Sequence, residues 1–240
     1  MGDNKIIHTK VISGENKTKA LVLGVVLDAT LSFSVVYGQI YYLIEHLLIN
    51  LKTLKKDKCD IDISYSVVLL HDKPENMRFS GKRSISKDED EVLRSIADIS
   101  FYGGSDDGHE ELNSALNLQL KTINQYMDSV CKQDKNVSGS QQLIILTDSA
   151  AAVGKAFQDF TQNEPGVYGD YTNHGLQQAF IISNGGDYMP QLRIVNSEYS
   201  LTENNVNMCS YYDIQDILDK DEEETLIMAE MLAKKIIQSA

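Results

Sequence analysis

The sequence predicts an α/β fold: an open, doubly wound, mostly parallel central sheet flanked by helices. Three observations predict it. Ala20 to Leu27 is a continuous apolar run, the pattern of a strand covered on both faces. Ile40, Leu43, Ile44, Leu47, Leu48, Leu51 and Leu54 recur at spacings of three and four, the period of an amphipathic helix. Strand-like and helix-like segments then alternate to the end of the chain, with crossovers long enough for parallel pairing.

Taken in order, residues 1–18 are a polar lead-in with an edge strand expected near Ile6 to Ile12, and 19–240 form one domain. Ala20 to Leu27 is the central strand, and the helix over Ile40 to Leu54 follows. Ile61 to Leu70 alternates and then turns wholly apolar, as a strand entering the sheet from an exposed end would. Lys73-Pro74 marks a turn before a second β segment near Met77 to Ser86. Asp88-Glu-Asp-Glu91 opens a short helix through Ile99, with acids where the helix dipole favours them.

Tyr102 to Gly108 is a loop, and Leu112, Ala115, Leu116, Leu120, Ile123, Met127 and Val130 mark one side of a long helix. Lys132 to Ser140 reads as a polar linker, and Gln141 to Thr147 as a buried strand. A short helix over Ala150 to Phe160, a loop over Thr161 to His174 and strands at Gln178 to Ser183 and Val206 to Ser210 come next. The last helix starts around Asp219, with Leu226, Ala229, Ala233, Ile236 and Ile237 on its apolar face and the acids of 219–224 in a solvated first turn.

Composition bounds the partners. The 240 residues carry 22 Lys+Arg against 35 Asp+Glu, a net charge of −13. The one basic cluster is Lys52 to Lys58, so nucleic acid and anionic membrane surfaces are excluded as main ligands. No apolar run reaches the ~18 residues of a membrane span, and the N-terminus lacks the apolar core of a signal peptide. Cys59, Cys131 and Cys209 are an odd number without C-x-x-C spacing, which reads as reduced thiols of a cytoplasmic protein.

Doubly wound sheets bind ligands at the carboxyl ends of their strands. The first strand runs into Asp28-Ala-Thr-Leu-Ser32, placing a carboxylate and two hydroxyls at i, i+2 and i+4 on a curling loop. Asp148 comes directly after the strand ending at Thr147, and the loop after Tyr102 offers Ser105. Mg²⁺ takes hard oxygen ligands in an octahedron at ~2.0–2.1 Å and keeps some water, which suits this donor set.

The pattern resembles the von Willebrand factor A domain and its metal-ion-dependent adhesion site. That site uses a D-x-S-x-S loop after the first strand, a Thr from a second loop and an Asp after the fourth strand. By position these are Asp28, Thr30 and Ser32, then Ser105, then Asp148. Gly103-Gly-Ser-Asp106 and Val67 to Asp72 also resemble family segments. Thr30 and Ser105 exchange one hydroxyl residue for another, and Ser149 stands where the family usually has Gly. The segment between Ser105 and Asp148 looks longer than usual.

The resemblance implies a protein-binding module in which Mg²⁺ or Mn²⁺ completes its shell with an acidic side chain of a partner protein. Asp28 and Asp148 supply charge and orient waters, and Thr30, Ser32 and Ser105 coordinate. Metal and ligand binding are expected to couple to the C-terminal helix, Asp219 to Ser239, as in some family members. The alternatives are a metal-dependent phosphohydrolase on the same rim, for which Lys155 is the only nearby cation by sequence, and a metal-free scaffold closed by Ser149 or by 132–140.

Competing motifs fall away on geometry. Asp62-Ile-Ser-Tyr-Ser66 matches D-x-S-x-S literally, but in a strand its polar members form a stripe spread over ~13 Å and do not converge. Asp60-Ile-Asp62 approaches a phosphatase motif without the apolar strand that must precede it. There is no G-x-x-x-x-G-K-[ST], H-E-x-x-H or G-x-S-x-G, and the five histidines are ungrouped.

Overall fold

The computed structural model describes residues 18–57, 61–104, 112–149, 176–184 and 209–240. Strand β1 (Thr18–Asp28) lies between β2 (Ile61–Leu70) and β4 (Val137–Leu146) and is parallel to both. The two-residue β3 (Glu75–Asn76) runs antiparallel on the outer edge of β2. Beyond β4 lie β5 (Leu176–Ser183) and β6 (Cys209–Asp213), both parallel, so the sheet order is β3-β2-β1-β4-β5-β6. The predicted class, a doubly wound and mostly parallel sheet, is the one observed.

Helices α1 (Tyr37–Asp57), α2 (Glu89–Ala97), α3 (Leu112–Gln133), α4 (Ile214–Leu218) and α5 (Glu222–Gln238) complete the described elements. Alternation along β1 divides the core. Leu21, Leu23, Val25 and Leu27 face a cluster built with α1, α2, α4 and α5, while Ala20, Val22 and Val26 face α3. That two-sided burial is the physical reason for the unbroken apolar run. The acids predicted to open α2 do so: Asp88 caps it by accepting from the backbone of Asp90 and Glu91.

Several expectations are corrected. Lys132 to Ser140 is not a linker: α3 continues to Gln133, and β4 begins at Val137, where Val137, Ser138, Gly139 and Ser140 pair with Thr18, Lys19, Ala20 and Leu21. Backbone pairing, not side-chain hydropathy, decides where that strand starts. The segment Met77 to Ser86 forms no extended strand: beyond the backbone bond from Met77 to Val67 it has isolated bridges, Ser86 to Tyr65 and Phe79 to Arg83, and the chain doubles back through Gly81 (φ 72°) and Lys82 (φ 62°).

Among the described residues the final strand is Cys209–Asp213, which overlaps the expected Val206 to Ser210 at 209–210 and runs on because Tyr211 and Tyr212 pair with Ile181 and Ile182; 206–208 lie outside the described residues. Helix α4 has no counterpart among the expected elements, and α5 starts at Glu222 behind a capping box formed by Asp221 and Glu224. Leu226 is exposed, and the buried face of α5 is Thr225, Met228, Ala229, Leu232, Ala233, Ile236 and Ile237. Nor does β2 alternate because one side is wet: Ile63, Tyr65 and Val67 face the α1 side, while Ser64 is buried against Tyr126 of α3 at 3.0 Å. The expected strand at Ile6 to Ile12, helix at Ala150 to Phe160 and loop at Thr161 to His174 lie outside the described residues.

Gly24 is where α3 comes closest to β1. A Cβ there would sit 2.5 Å from Nε2 of Gln119 and 2.8 Å from Cδ2 of Leu143. Gln119 is fully buried, and neither polar atom of its side chain has a hydrogen-bond partner among the described residues. A buried amide left unsatisfied costs about 1–3 kcal/mol. Replacing it with an apolar side chain of similar shape, Gln119→Met, is therefore expected to raise stability by about 1–2 kcal/mol in urea unfolding. A comparable loss would show that the amide has a hydrogen-bonding role.

Candidate functional site

Crossovers leave β1 in one direction to reach β2 and β3 and in the other to reach β4, β5 and β6. The carboxyl ends of β1 and β4 therefore flank the point where the strand order reverses, which is where a doubly wound sheet opens a crevice. Asp28 is the last residue of β1, and Asp148 lies two positions beyond the end of β4 at Leu146.

Asp28 is fully buried and its two oxygens are shared among three donors. Oδ1 accepts from the backbone N–H of Thr30 at 2.9 Å and from the Thr30 hydroxyl at 2.6 Å. Oδ2 accepts from the Thr147 hydroxyl at 2.6 Å. A chain of oxygens continues outward: Oγ1 of Thr30 lies 3.2 Å from Oγ of Ser32, which donates to Oδ1 of Asp148 at 3.4 Å. Four of the five sequence-predicted site residues thus come together, running from the buried Asp28 to the exposed Ser32. Ser105 lies outside the described residues.

The loop that leads to Ser105 is nevertheless tied to the first loop. The backbone N–H of Tyr102 donates to the carbonyl of Ala29 at 3.1 Å, and that of Leu31 to Gly103 at 3.5 Å. Gly103 and Gly104 have φ of 71° and 99°, conformations that other residues rarely adopt. Oδ1 of Asp72 accepts from the backbone N–H of Gly104 at 2.9 Å, and a Cβ on Gly103 would approach Oδ2 of Asp72 to 2.9 Å. The side-chain amide of Asn184, after β5, donates to the carbonyl of Asp148 at 2.5 Å.

Two residues that shape this rim, Thr147 and Asn184, escape the motif reading, and Asp72 ends a segment that resembles the family's without its role as an acceptor being legible there. Thr147 is legible only as the end of an apolar strand, yet its hydroxyl holds one Asp28 oxygen and accepts from the backbone N–H of Ser149 at 3.1 Å. Asp72 and Asn184 hold loops from strand ends that carry no ligand pattern of their own. The decoy at Asp62 to Ser66 does not converge: Asp62 pairs with Lys87, and Ser64 with Tyr126.

Burial is the largest influence on the Asp28 carboxyl, and the nearby Asp148 charge adds to it. Hydrogen bonds from Thr147 and Thr30 oppose the shift, which carries the pKa up to about 6. None of these influences is a cation. A divalent ion fits this donor set, since it would supply the positive charge that the buried carboxylate lacks and would meet the hydroxyl and carboxylate oxygens that hard cations prefer. Among the described residues there is no cluster of three or more His, Cys, Asp or Glu side chains able to hold a metal, so any ion here would depend on hydroxyl oxygens.

No family model matches the sequence, and no curated protein matches it. Solved structures do. A von Willebrand factor type A protein from Catenulispora acidiphila superposes with a TM-score of 0.52 at 13% identity, covering 91% of this chain and 43% of that one. The chain has the von Willebrand factor A fold. The PilB minor pilin of Streptococcus sanguinis aligns with a TM-score of 0.50 at 11% identity, over 94% of this chain and 62% of that one. Manganese-loaded TRAP protein of Plasmodium vivax aligns less closely, with a TM-score of 0.45 at 13% identity over 84% of this chain and 70% of that one. The chain spans less than two thirds of the first and second of these proteins.

The raised pKa has a definite sign for stability. The native state holds the Asp28 proton more tightly than the unfolded chain, so this group's contribution is present below about pH 4 and is lost as pH rises to about 6. Going from 3.8 to about 6 corresponds to up to about 3 kcal/mol. Asp28→Asn keeps the shape and cannot ionise. In EDTA, its unfolding free energy is expected to gain on the wild type by up to about 3 kcal/mol between about pH 4 and about pH 7.5. A pH-independent gap in urea titrations would contradict a buried, unpaired carboxylate.

Proposed function

We propose that the chain is a metal-dependent protein-binding module. In this reading Mg²⁺ or Mn²⁺ is held at the rim by Asp28, Thr30, Ser32, Ser105 and Asp148, and an acidic side chain of a partner protein completes its shell. The observation that carries the reading is the fully buried Asp28 carboxylate, whose surroundings among the described residues supply hydroxyl donors and no cation.

Each residue has a task. Asp28 and Thr147 form the inner anchor that orients the Thr30 hydroxyl, and Ser32 and Asp148 present oxygens farther out. A bound divalent ion held largely by neutral oxygens supplies an electrophilic centre with an open position for a carboxylate. Leu31, Val35 and Tyr102 are 63%, 87% and 52% exposed. They flank the same loops and offer apolar contact around the charged point.

The rest of the acidic body repels a carboxylate, which restricts an acidic partner to this spot. A cytoplasmic location is supported by the odd cysteine count and the lack of C-x-x-C spacing. Among the described residues no helix is long and apolar enough to cross a membrane.

Calorimetric titration with Mn²⁺ or Mg²⁺ tests the reading. Wild type is expected to bind one ion, Ser105→Ala to weaken binding about tenfold, equivalent to about 1.4 kcal/mol, and Asp28→Ala with Asp148→Ala to abolish it. Binding that survives the double substitution, or no binding by the wild type, sinks the proposal.

A further inference from the structure

On the far edge of the sheet, α5 turns a second apolar stripe outward. Glu224, Ile227, Met228 and Met231 recur at spacings of three and four and line a groove whose other wall is Tyr212, Asp213, Asp216, Ile217, Asp219 and Lys220. Ile227 is 60% and Met231 41% exposed, whereas Ile217 and Met228 are buried and form the floor. Neither Ile227 nor Met231 belongs to the face that packs the helix into the core.

The walls are one-sided in charge. Asp213, Asp216, Asp219 and Glu224 oppose the single cation Lys220, and none of the four acids is in an ion pair among the described residues. Lys235, farther along α5, is engaged by Tyr212: its ammonium donates to the phenol at 2.9 Å and lies 5.4 Å from the ring centroid. An apolar floor between acids that form no ion pair among the described residues, two of which, Asp213 and Glu224, accept from helix-start backbone N–H groups, is complementary to a helix with one apolar and one basic side, and methionine adapts readily to such a surface. The same acids would repel the acidic partner proposed for the Asp28 rim. This groove lies three strands away from β1, roughly 14 Å along the sheet.

We propose that the groove between α4 and α5 docks a basic amphipathic helix of a partner protein, its apolar side on Tyr212, Ile217, Ile227 and Met231 and its Lys or Arg side chains against Asp213, Asp216, Asp219 and Glu224. It is a second binding surface and does not rest on the metal site. The probe is a fluorescent Leu/Lys peptide with all leucines on one helical face, titrated by anisotropy against the whole chain in EDTA.

Wild type is expected to bind it. Ile227→Ser with Met231→Ser, both exposed and so compatible with the fold, should weaken binding tenfold or more while circular dichroism stays unchanged. Asp216→Lys with Asp219→Lys should weaken it similarly and admit a Leu/Glu peptide that the wild type rejects. A control reversal on α2, Asp90→Lys with Asp98→Lys, should leave affinity within twofold. Equal losses in the control and groove variants would mean diffuse adsorption to an acidic protein and would overturn the proposal, as would no binding by the wild type.

Discussion

The site depends on one buried anion. Asp28 ends the most central strand, and its carboxylate is enclosed with hydroxyls from two loops and no cation among the influences on it. Hydrogen bonds compensate part of the desolvation, and the remainder shows as a pKa pushed up to about 6. Hydrogen bonds to Asp28 hold Thr30 inward, and Ser32 lies between Thr30 and Asp148.

The surrounding structure keeps the anion in place. β1 is hydrogen-bonded on both sides over its length, and its alternate residues are buried under helices on both faces. The strand end therefore has little freedom to move the carboxylate into solvent. The glycine turn at 103–104 is clamped by Asp72, and its backbone is joined to Ala29 and Leu31. The basic run on α1 meets acids of α2 through Lys52 to Asp90 and Lys55 to Glu89. The cationic cluster Lys52 to Lys58 is thus partly neutralised by its neighbour.

Much of the fold is legible in the sequence because burial leaves a strong pattern. Ala20 to Leu27 reads as a doubly covered strand, and the polar residues just beyond the apolar runs mark Asp28, Thr30, Ser32 and Asp148 as a group at the strand ends. The differences between sequence and structure share a cause. Val137 to Ser140 are strand because β1 pairs with them, Tyr211 and Tyr212 because β5 does, and neither partner is visible in a local window. Ser64 and Gln119 are polar yet buried, which hydropathy alone does not reveal. Thr147 looks like a plain strand end, since nothing in its neighbours reveals that its hydroxyl faces Asp28 from 119 positions away.

Electron paramagnetic resonance of Mn²⁺ at about pH 7.5 tests the central claim most directly, because free aqueous Mn²⁺ gives a sharp signal that broadens on binding. The account predicts that the wild type depletes the free-ion signal at one equivalent and that Asp28→Asn, which folds at least as stably at this pH, leaves it intact. Equal depletion by both proteins would show that the buried carboxylate is not what draws the ion.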